Sequence, residues 1–326
     1  MPAIRVYQPG IPEVMLIEDT SIPQIKDSEV LVANRVAGVN GKDLLIRDGT
    51  YSTPLPYTPG IEGAGVVVEK GKLVTNFQIG ERVAYCHAGS GSYAEYTAVE
   101  AEKVISIPET IDDETAGACL VQGLAAHYLT HSTFPLEAGH TALIHAAAGG
   151  VGLLTVQMAK LRGAKVIGTV SSPEKARIAQ EAGADEIVMY SQDDFETETM
   201  RLTQGIGVDV VYDSVGAATF DKSLNVLKNR GVLVLLGQAS GSVPPFDLTK
   251  LSNQSGDRGS FYLSRPTTRH YIQGDAFQKR VACIFDYIKR GQLKVFVGQR
   301  YQLSEAIKAH QDLSSRRTVG KSLLIL

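Results

Sequence analysis

TALIHAAAGGVG, residues 141–152, decides the fold. Thr141–His145 is an apolar run of strand length that ends in small residues. Glycines follow at once, and LLTVQMAKLRG then reads as a helix. Val151, Leu154, Thr155, Met158 and Leu161 recur at helical spacing, so one stripe faces a core. Gly163 suits the left-handed position past the helix end. Against the pattern G-x-G-x-x-G, the three key positions are Ala147, Gly149 and Gly152. Ala147 keeps the first turn small, Gly149 admits a pyrophosphate to the backbone, and Gly152 lets the helix pack close to the sheet. Gly150 and Val151 complete the first turn, whose N–H groups and partial positive charge attract phosphates. Small residues also serve any tight strand–helix turn; the flanking strand and helix favour dinucleotide binding.

Working outward, the 326 residues suggest two domains, each able to bury a core. With 44% apolar and 21% charged residues, the composition is that of a globular protein and excludes disorder or a fibrous class. A net charge of −3 and the lack of a long Lys/Arg run argue against a nucleic-acid partner. Cys86, Cys119 and Cys283 are far apart and odd in number, which fits a reducing compartment without a disulfide framework. MPAIRVYQPG has no apolar core of signal-peptide length, and the longest apolar region is the fingerprint itself. No membrane span and a cytoplasmic location are therefore expected.

Before the fingerprint, residues 1–120 read as strands and turns: Val30–Ala37, Gly65–Glu69, Ile79–Tyr85 and Tyr93–Val99, with a loop at Gly89–Ser92. Helical runs follow from Asp112, broken around Gly123. After the fingerprint, strand and helix alternate. Strands are expected at Lys165–Val170, Glu186–Met189, Val208–Tyr212, Val232–Leu236 and Ser260–Leu263, and helices include Pro173–Ala182 and Ala217–Asn229. That alternation means βαβ units and a parallel sheet covered on both faces. An irregular loop spans Gly237–Gly259; helices at Asp275–Arg290 and Ser304–Ser314 and a strand at Ser322–Leu326 close the chain.

Taken together, AGVN (37–40), PGIEGAG (59–65), AAAGGVG (146–152), VYDSVG (211–216) and RTVGKSLL (317–324) resemble the medium-chain dehydrogenase/reductases. Within them the resemblance is to the zinc-free quinone oxidoreductases, the zeta-crystallin-like branch. It covers the whole chain and implies an α/β protein: a GroES-like β-rich catalytic domain (1–122), a Rossmann doubly wound parallel-sheet domain binding NADP (123–265), and C-terminal helices returning to the catalytic domain (266–326). The family's zinc enzymes carry a Cys in the segment matching AGVN and the His of a GHE motif. Here Asn40 and Ile61 stand at those places, and three cysteines cannot make a closed four-Cys site, so no metal is expected. Without a Lewis acid to polarise an alcohol, the chemistry left is reduction of an already electrophilic acceptor.

The second Rossmann strand of an NAD enzyme ends in a carboxylate that binds the ribose hydroxyls. Here the strand runs into Ser171–Ser172–Pro173–Glu174–Lys175, two hydroxyls and a cation that suit the 2′-phosphate of NADPH. Ser172 also reads as an N-cap with Pro173 behind it, a role that leaves Lys175 unexplained. The resemblance further implies cofactor contacts at Asn40, Gly41, Tyr128, Tyr190, Ser214, Leu236–Gly237–Gln238, Leu263–Ser264–Arg265 and Arg316. It also implies that Tyr51 hydrogen-bonds the developing oxyanion of the substrate. Asn40–Gly41–Lys42–Asp43 and Gln122–Gly123–Leu124–Ala125 depart from common family sequences, which points to a different substrate pocket. The expectation is NADPH-dependent reduction of a quinone or similar conjugated carbonyl. The alternatives are an enone or acryloyl-type C=C reductase and a non-catalytic NADPH-binding structural protein. A homodimer paired through the apolar strand Ser260–Leu263 is also expected.

Overall fold

The computed structural model describes residues 1–87, 91–253 and 256–326. Gly89 and Ser90 of the expected loop, and residues 254–255 of the longer one, lie outside the described residues. In chain order the elements begin with strands β1 (Pro2–Val6), β2 (Met15–Asp19) and β3 (Glu29–Val39), then helix α1 (Gly41–Arg47). β4 (Glu62–Lys70), β5 (Arg82–Cys86), β6 (Tyr96–Glu100) and β7 (Val104–Ser106) lead to α2 (Asp113–Tyr128). The alternating part holds β8 (Thr141–Ile144), α3 (Gly150–Leu161), β9 (Lys165–Val170), α4 (Pro173–Glu181), β10 (Glu186–Met189) and α5 (Phe195–Leu202). It continues through β11 (Val208–Asp213), α6 (Phe220–Asn225), β12 (Leu227–Leu235), α7 (Thr249–Ser252) and β13 (Tyr262–Ser264). The last elements are α8 (Ala276–Lys289), β14 (Val297–Gln302), α9 (Ala306–Ser314) and β15 (Lys321–Ile325).

Two compact units result: Met1–Gln122 with Phe277–Lys289 and Val295–Leu326, and Gly123–Ala276 with Arg290–Lys294. The first is built on a sheet of order β14-β15-β3-β4-β5-β7, with β6 also paired to β3. β3 sits inside it, with β4 along one edge and β15 and β6 along the other, and its side chains enter both cores of the unit. Its run of valines and alanines is accordingly buried almost throughout. Val30, Val32, Val67, Phe77 and Val83 fill one core, and Ile4, Val39, Tyr57, Tyr93 and Leu324 another.

The second unit is a sheet of order β10-β9-β8-β11-β12-β13 in which every pairing is parallel. Leu143, Ile167, Val211 and Leu233 from its strands pack with Phe195 and Phe220 from its helices. β8 lies beside both β9 and β11, so strand order reverses there. Such a switch point opens a crevice at the carboxyl ends of the strands.

Four expectations need correction. α2 passes through Gly123 unbroken; one interior glycine costs a helix only about 1 kcal/mol, and the buried Leu120 and Leu124 hold the turns on either side. The helix expected over Ala217–Asn229 is only Phe220–Asn225, because Val226 and Leu227 are drawn into the sheet core and β12 starts there. Leu161 is 37% exposed: at about 100° per residue it falls at the margin of the stripe that Leu154, Thr155 and Met158 bury. The last strand of the parallel sheet starts at Tyr262, since Ser260 is left-handed (φ 57°) and cannot join the ladder.

Candidate functional site

In the parallel-sheet unit, the segments singled out in the sequence collect at one edge. Ala147–Gly152 follows β8, Ser171–Ser172 follows β9, Tyr190 follows β10, and Ser214 follows β11. Leu236–Gln238 follows β12, while Leu263 and Ser264 end β13 and Arg265 lies just past it. Because the strands are parallel, these are all carboxyl ends. Backbone bonds tie neighbours together there. The Tyr190 N–H donates to the Val170 carbonyl (3.2 Å), and the Leu236 N–H to that of Asp213 (2.8 Å). Ser214 and Gly237 lie so close that a Cβ on the glycine would stand 3.0 Å from the serine Cα.

The fingerprint turn departs from its sequence reading in one detail. The left-handed residue is Ala146 (φ 51°), not a glycine, while Ala147 is fully buried against the sheet. Ala147 therefore serves packing as well as smallness. A Cβ on Gly152 would collide with the Ala146 carbonyl oxygen and come within 2.9 Å of the Ala147 Cα. On Gly149 the same atom would meet only the Ala146 oxygen, at 3.2 Å. Gly149 occupies the N-cap of α3 and supplies no side chain to its N–H groups. The first-turn donors of a twelve-residue helix thus stay available to an anion.

Ser172 caps α4: its Oγ accepts the Lys175 N–H at 3.3 Å, and Pro173 follows. The cap uses the Lys175 backbone and not its ammonium, and it leaves the Ser172 hydroxyl proton to donate elsewhere. Glu174 is exposed. Tyr128 is buried and stacks on Tyr271, with ring centroids 4.3 Å apart and planes 12° from parallel. It ends α2 where the chain widens into a π-helical turn, Leu129–Thr133.

Beneath the switch point lies a polar ladder that sequence reading passed over. Asp213 is fully buried; one carboxylate oxygen accepts the N–H groups of Val215 (2.8 Å) and Gly216 (3.0 Å). The other accepts the hydroxyls of Thr219 (2.7 Å) and Ser223 (3.0 Å). Since Ser223 spends its only proton on Asp213, it must accept from His145 Nε2 (3.0 Å). His145 Nδ1 then accepts the Thr169 hydroxyl (2.9 Å). Burial pushes the His145 pKa down, against the pull of Asp213, and the neutral tautomer fits every bond. This ladder fixes the turn that carries Ser214. VYDSVG contained the signal, an aspartate closing the strand directly after the buried Val210–Tyr212.

In the GroES-like unit, Asn40 follows β3 as the N-cap of α1, which begins at the exposed Gly41. The Asn40 N–H donates to Asp43 Oδ2 (2.9 Å), and its side-chain Nδ2 to the Gly38 carbonyl (3.1 Å). Its Oδ1 accepts the Lys321 ammonium at 2.8 Å. Lys321 and Glu62 form an ion pair with both side chains at most 1% exposed, and Glu62 also accepts the Val121 N–H (2.8 Å). Glu62 directly follows Ile61, and Lys321 opens β15. Among the described residues no three His, Cys, Asp or Glu side chains are grouped to hold a metal. Cys86 and His87 do not form such a group; burial pushes the thiol up and the imidazole down to about 4. Tyr51 is 44% exposed and lines a recess of about 120 Å³ with Ser52, Thr53, Leu55 and Tyr57. Arg316 is exposed and left-handed (φ 59°), just before β15.

Residues 26–109 match the alcohol dehydrogenase GroES-like domain, and residues 150–274 match the zinc-binding dehydrogenase domain. The quinone oxidoreductase of Pseudomonas aeruginosa is 42% identical over 318 residues, covering 97% of each chain. The chain belongs to the quinone oxidoreductases of the medium-chain dehydrogenase/reductase superfamily. As a member it is an oxidoreductase, with a GroES-like unit and a Rossmann parallel-sheet unit. A 2-haloacrylate reductase from Burkholderia is 37% identical over 331 residues, 99% of this chain and 98% of that one. The crystal structure of Escherichia coli quinone oxidoreductase complexed with NADPH superposes with a TM-score of 0.96 at 38% identity, covering all of both chains. Although the second matching domain is described as zinc-binding, this quinone oxidoreductase carries an ammonium–carboxylate pair beside Asn40. No helix among the described residues is long and apolar enough to cross a membrane.

Proposed function

We propose that this quinone oxidoreductase transfers hydride from NADPH to a quinone or similar conjugated carbonyl, without a metal. The observation that carries the reading is the uncapped N-terminus of α3 at the end of β8, in a chain whose E. coli relative was solved with NADPH. Bound NADPH supplies the hydride, and the reduced acceptor gains one proton to become the hydroquinone. The first-turn N–H groups of α3 hold the pyrophosphate. Ser171, Ser172 and Lys175 take the 2′-phosphate, and Tyr190 covers the adenine. Ser214, Leu236–Gln238, Leu263–Arg265, Tyr128, Asn40, Gly41 and Arg316 complete the cofactor contacts, and the Tyr51 phenol donates to the developing oxyanion.

Residues 1–122 serve as the catalytic domain, 123–265 as the NADP-binding domain, and 266–326 as the return. The protein works in the cytoplasm as a homodimer joined along β13. That strand is the outer one of its sheet, with Tyr262 and Leu263 59% and 39% exposed. Among the described residues α7 meets the strand at its entry, where the Phe261 N–H donates to the Leu251 carbonyl (2.8 Å). A second reading, reduction of an activated C=C bond, is favoured by the 2-haloacrylate reductase among the relatives. Following NADPH and NADH oxidation with a panel of quinones and enals tests both. Fast turnover with quinones and NADPH supports the first reading, and turnover confined to enals the second. Tight NADPH binding with no turnover would leave a binding protein.

A further inference from the structure

We infer that Lys321 is a positioning residue that orients the Asn40 amide as a hydrogen-bond donor. The inference rests on the reading of Asn40 as a cofactor-side residue. A lysine ammonium only donates, so the amide atom facing it must be Oδ1. Nδ2 is thereby turned to the opposite side, where one of its two hydrogens goes to the Gly38 carbonyl. The second hydrogen is what Asn40 has to offer a ligand. Without Lys321 only the Gly38 carbonyl would hold the amide in this sense, and a half-turn would present an acceptor in place of the donor.

The ammonium itself is locked. Glu62 pairs with it, and the Val121 N–H holds the other carboxylate oxygen, so charge and direction are set by three separate segments of the chain. A buried ion pair of this kind adds little net stability compared with apolar side chains of the same volume. Its presence is better explained by the orientation it imposes. Lys321 thus stands in the neighbourhood where a zinc dehydrogenase would use a metal, and it fixes a neutral amide.

The test uses the full chain with Glu62→Gln and Lys321→Met combined, which removes both charges and leaves no buried ion unpaired. The double variant should keep its thermal midpoint and bind NADPH through the Rossmann unit. Hydride transfer should nevertheless fall roughly tenfold to a hundredfold, as a kcat effect, the usual consequence of a misplaced contact group. Added to Asn40→Ala, the pair of changes should cost nothing further. A structural role alone predicts wild-type kcat once stability is restored; that result, or full additivity with Asn40→Ala, would overturn the inference. Should the double variant not fold, Asn40→Asp supplies the second arm: it preserves an acceptor for Lys321 but loses the side-chain N–H, and with it the bond to the Gly38 carbonyl and some stability. NADPH still bound with kcat lost supports the donor role, and kcat retained refutes it. One readout needs no cofactor: the Asn40 side-chain amide resonances, assigned by their loss in Asn40→Asp. Their hydrogen exchange in the unliganded protein should quicken at least roughly tenfold in the double variant. Unchanged exchange defeats the inference even if the wild type reduces no quinone, whereas absent turnover with quickened exchange defeats only the functional reading.

Discussion

Asp43 is the residue whose titration the structure exposes most clearly. It is buried at the start of α1, with Oδ2 bonded to the Asn40 N–H and the Tyr93 hydroxyl (3.2 Å) and Oδ1 without a hydrogen bond among the described residues. Burial pushes its pKa up to about 7, only partly offset by the Asn40 N–H and by Lys321, and Glu62 adds to the rise. The folded-state value lies above the unfolded one, so the folded protein holds the proton more tightly. Stability from this group is therefore present below pH about 4 and falls by about 1.4 kcal/mol for each pH unit climbed toward 7. His310 and His87 work in the other direction. Burial lowers them to about 3 and about 4, so their share of stability is lost as pH falls below about 6.5. Subtracting the urea-unfolding profile of Asp43→Asn from that of the wild type isolates the carboxyl. The difference should slope between pH 4 and 7 and be flat above; a flat difference throughout would assign Asp43 an ordinary pKa. At the nucleotide end, Lys175→Ala should weaken NADPH by roughly 1.5–3 kcal/mol and leave NADH nearly untouched in a calorimetric titration. Equal losses would mean that Lys175 supports α4 and does not read the phosphate.

Among the elements, the β8–α3 turn separates two uses of glycine. Gly152 faces the Ala146 backbone with no room for a Cβ, so Gly152→Ala should lower stability by about 1–3 kcal/mol and carry NADPH affinity down with it. At Gly149 the added atom meets only the Ala146 oxygen, at 3.2 Å. Gly149→Ala should therefore stay near wild-type stability and still lose NADPH, because the methyl group stands where the phosphate approaches. Denaturant melts paired with binding isotherms check both variants. This turn was legible because its twelve residues are consecutive and their periodicity changes from strand to helix at the glycines. The left-handed Ala146 was not, since alanine gives no warning of a positive φ. Likewise the end of α6 could not be read from the periodicity between Ala217 and Asn229: Leu227 belongs to β12 only because the sheet beside it buries it.

For the molecule as a whole, what sequence reading missed is what sequence distance hides. Asn40, Glu62 and Lys321 meet across up to 281 positions, and nothing local in GVN, GIEG or GKSLL announces the bond. The residual signal was a charged residue in each of two runs that the sheet buries. The edge strand β13 was legible by contrast, as an apolar SFYL at the end of the βαβ series. If β13 joins two copies, Tyr262→Pro should split the dimer by removing an edge donor, which sedimentation velocity would register as a halved mass. A concentration-independent wild-type monomer would end that proposal. We propose that this fold reduces quinones with NADPH and its own residues, and that the chemistry needs no metal ion. The most direct test is the initial rate of NADPH oxidation by a quinone, measured before and after exhaustive dialysis against a strong chelator. The expected result is the same rate in both samples and no gain on adding zinc; a rate that vanishes on dialysis and returns with zinc would contradict the claim.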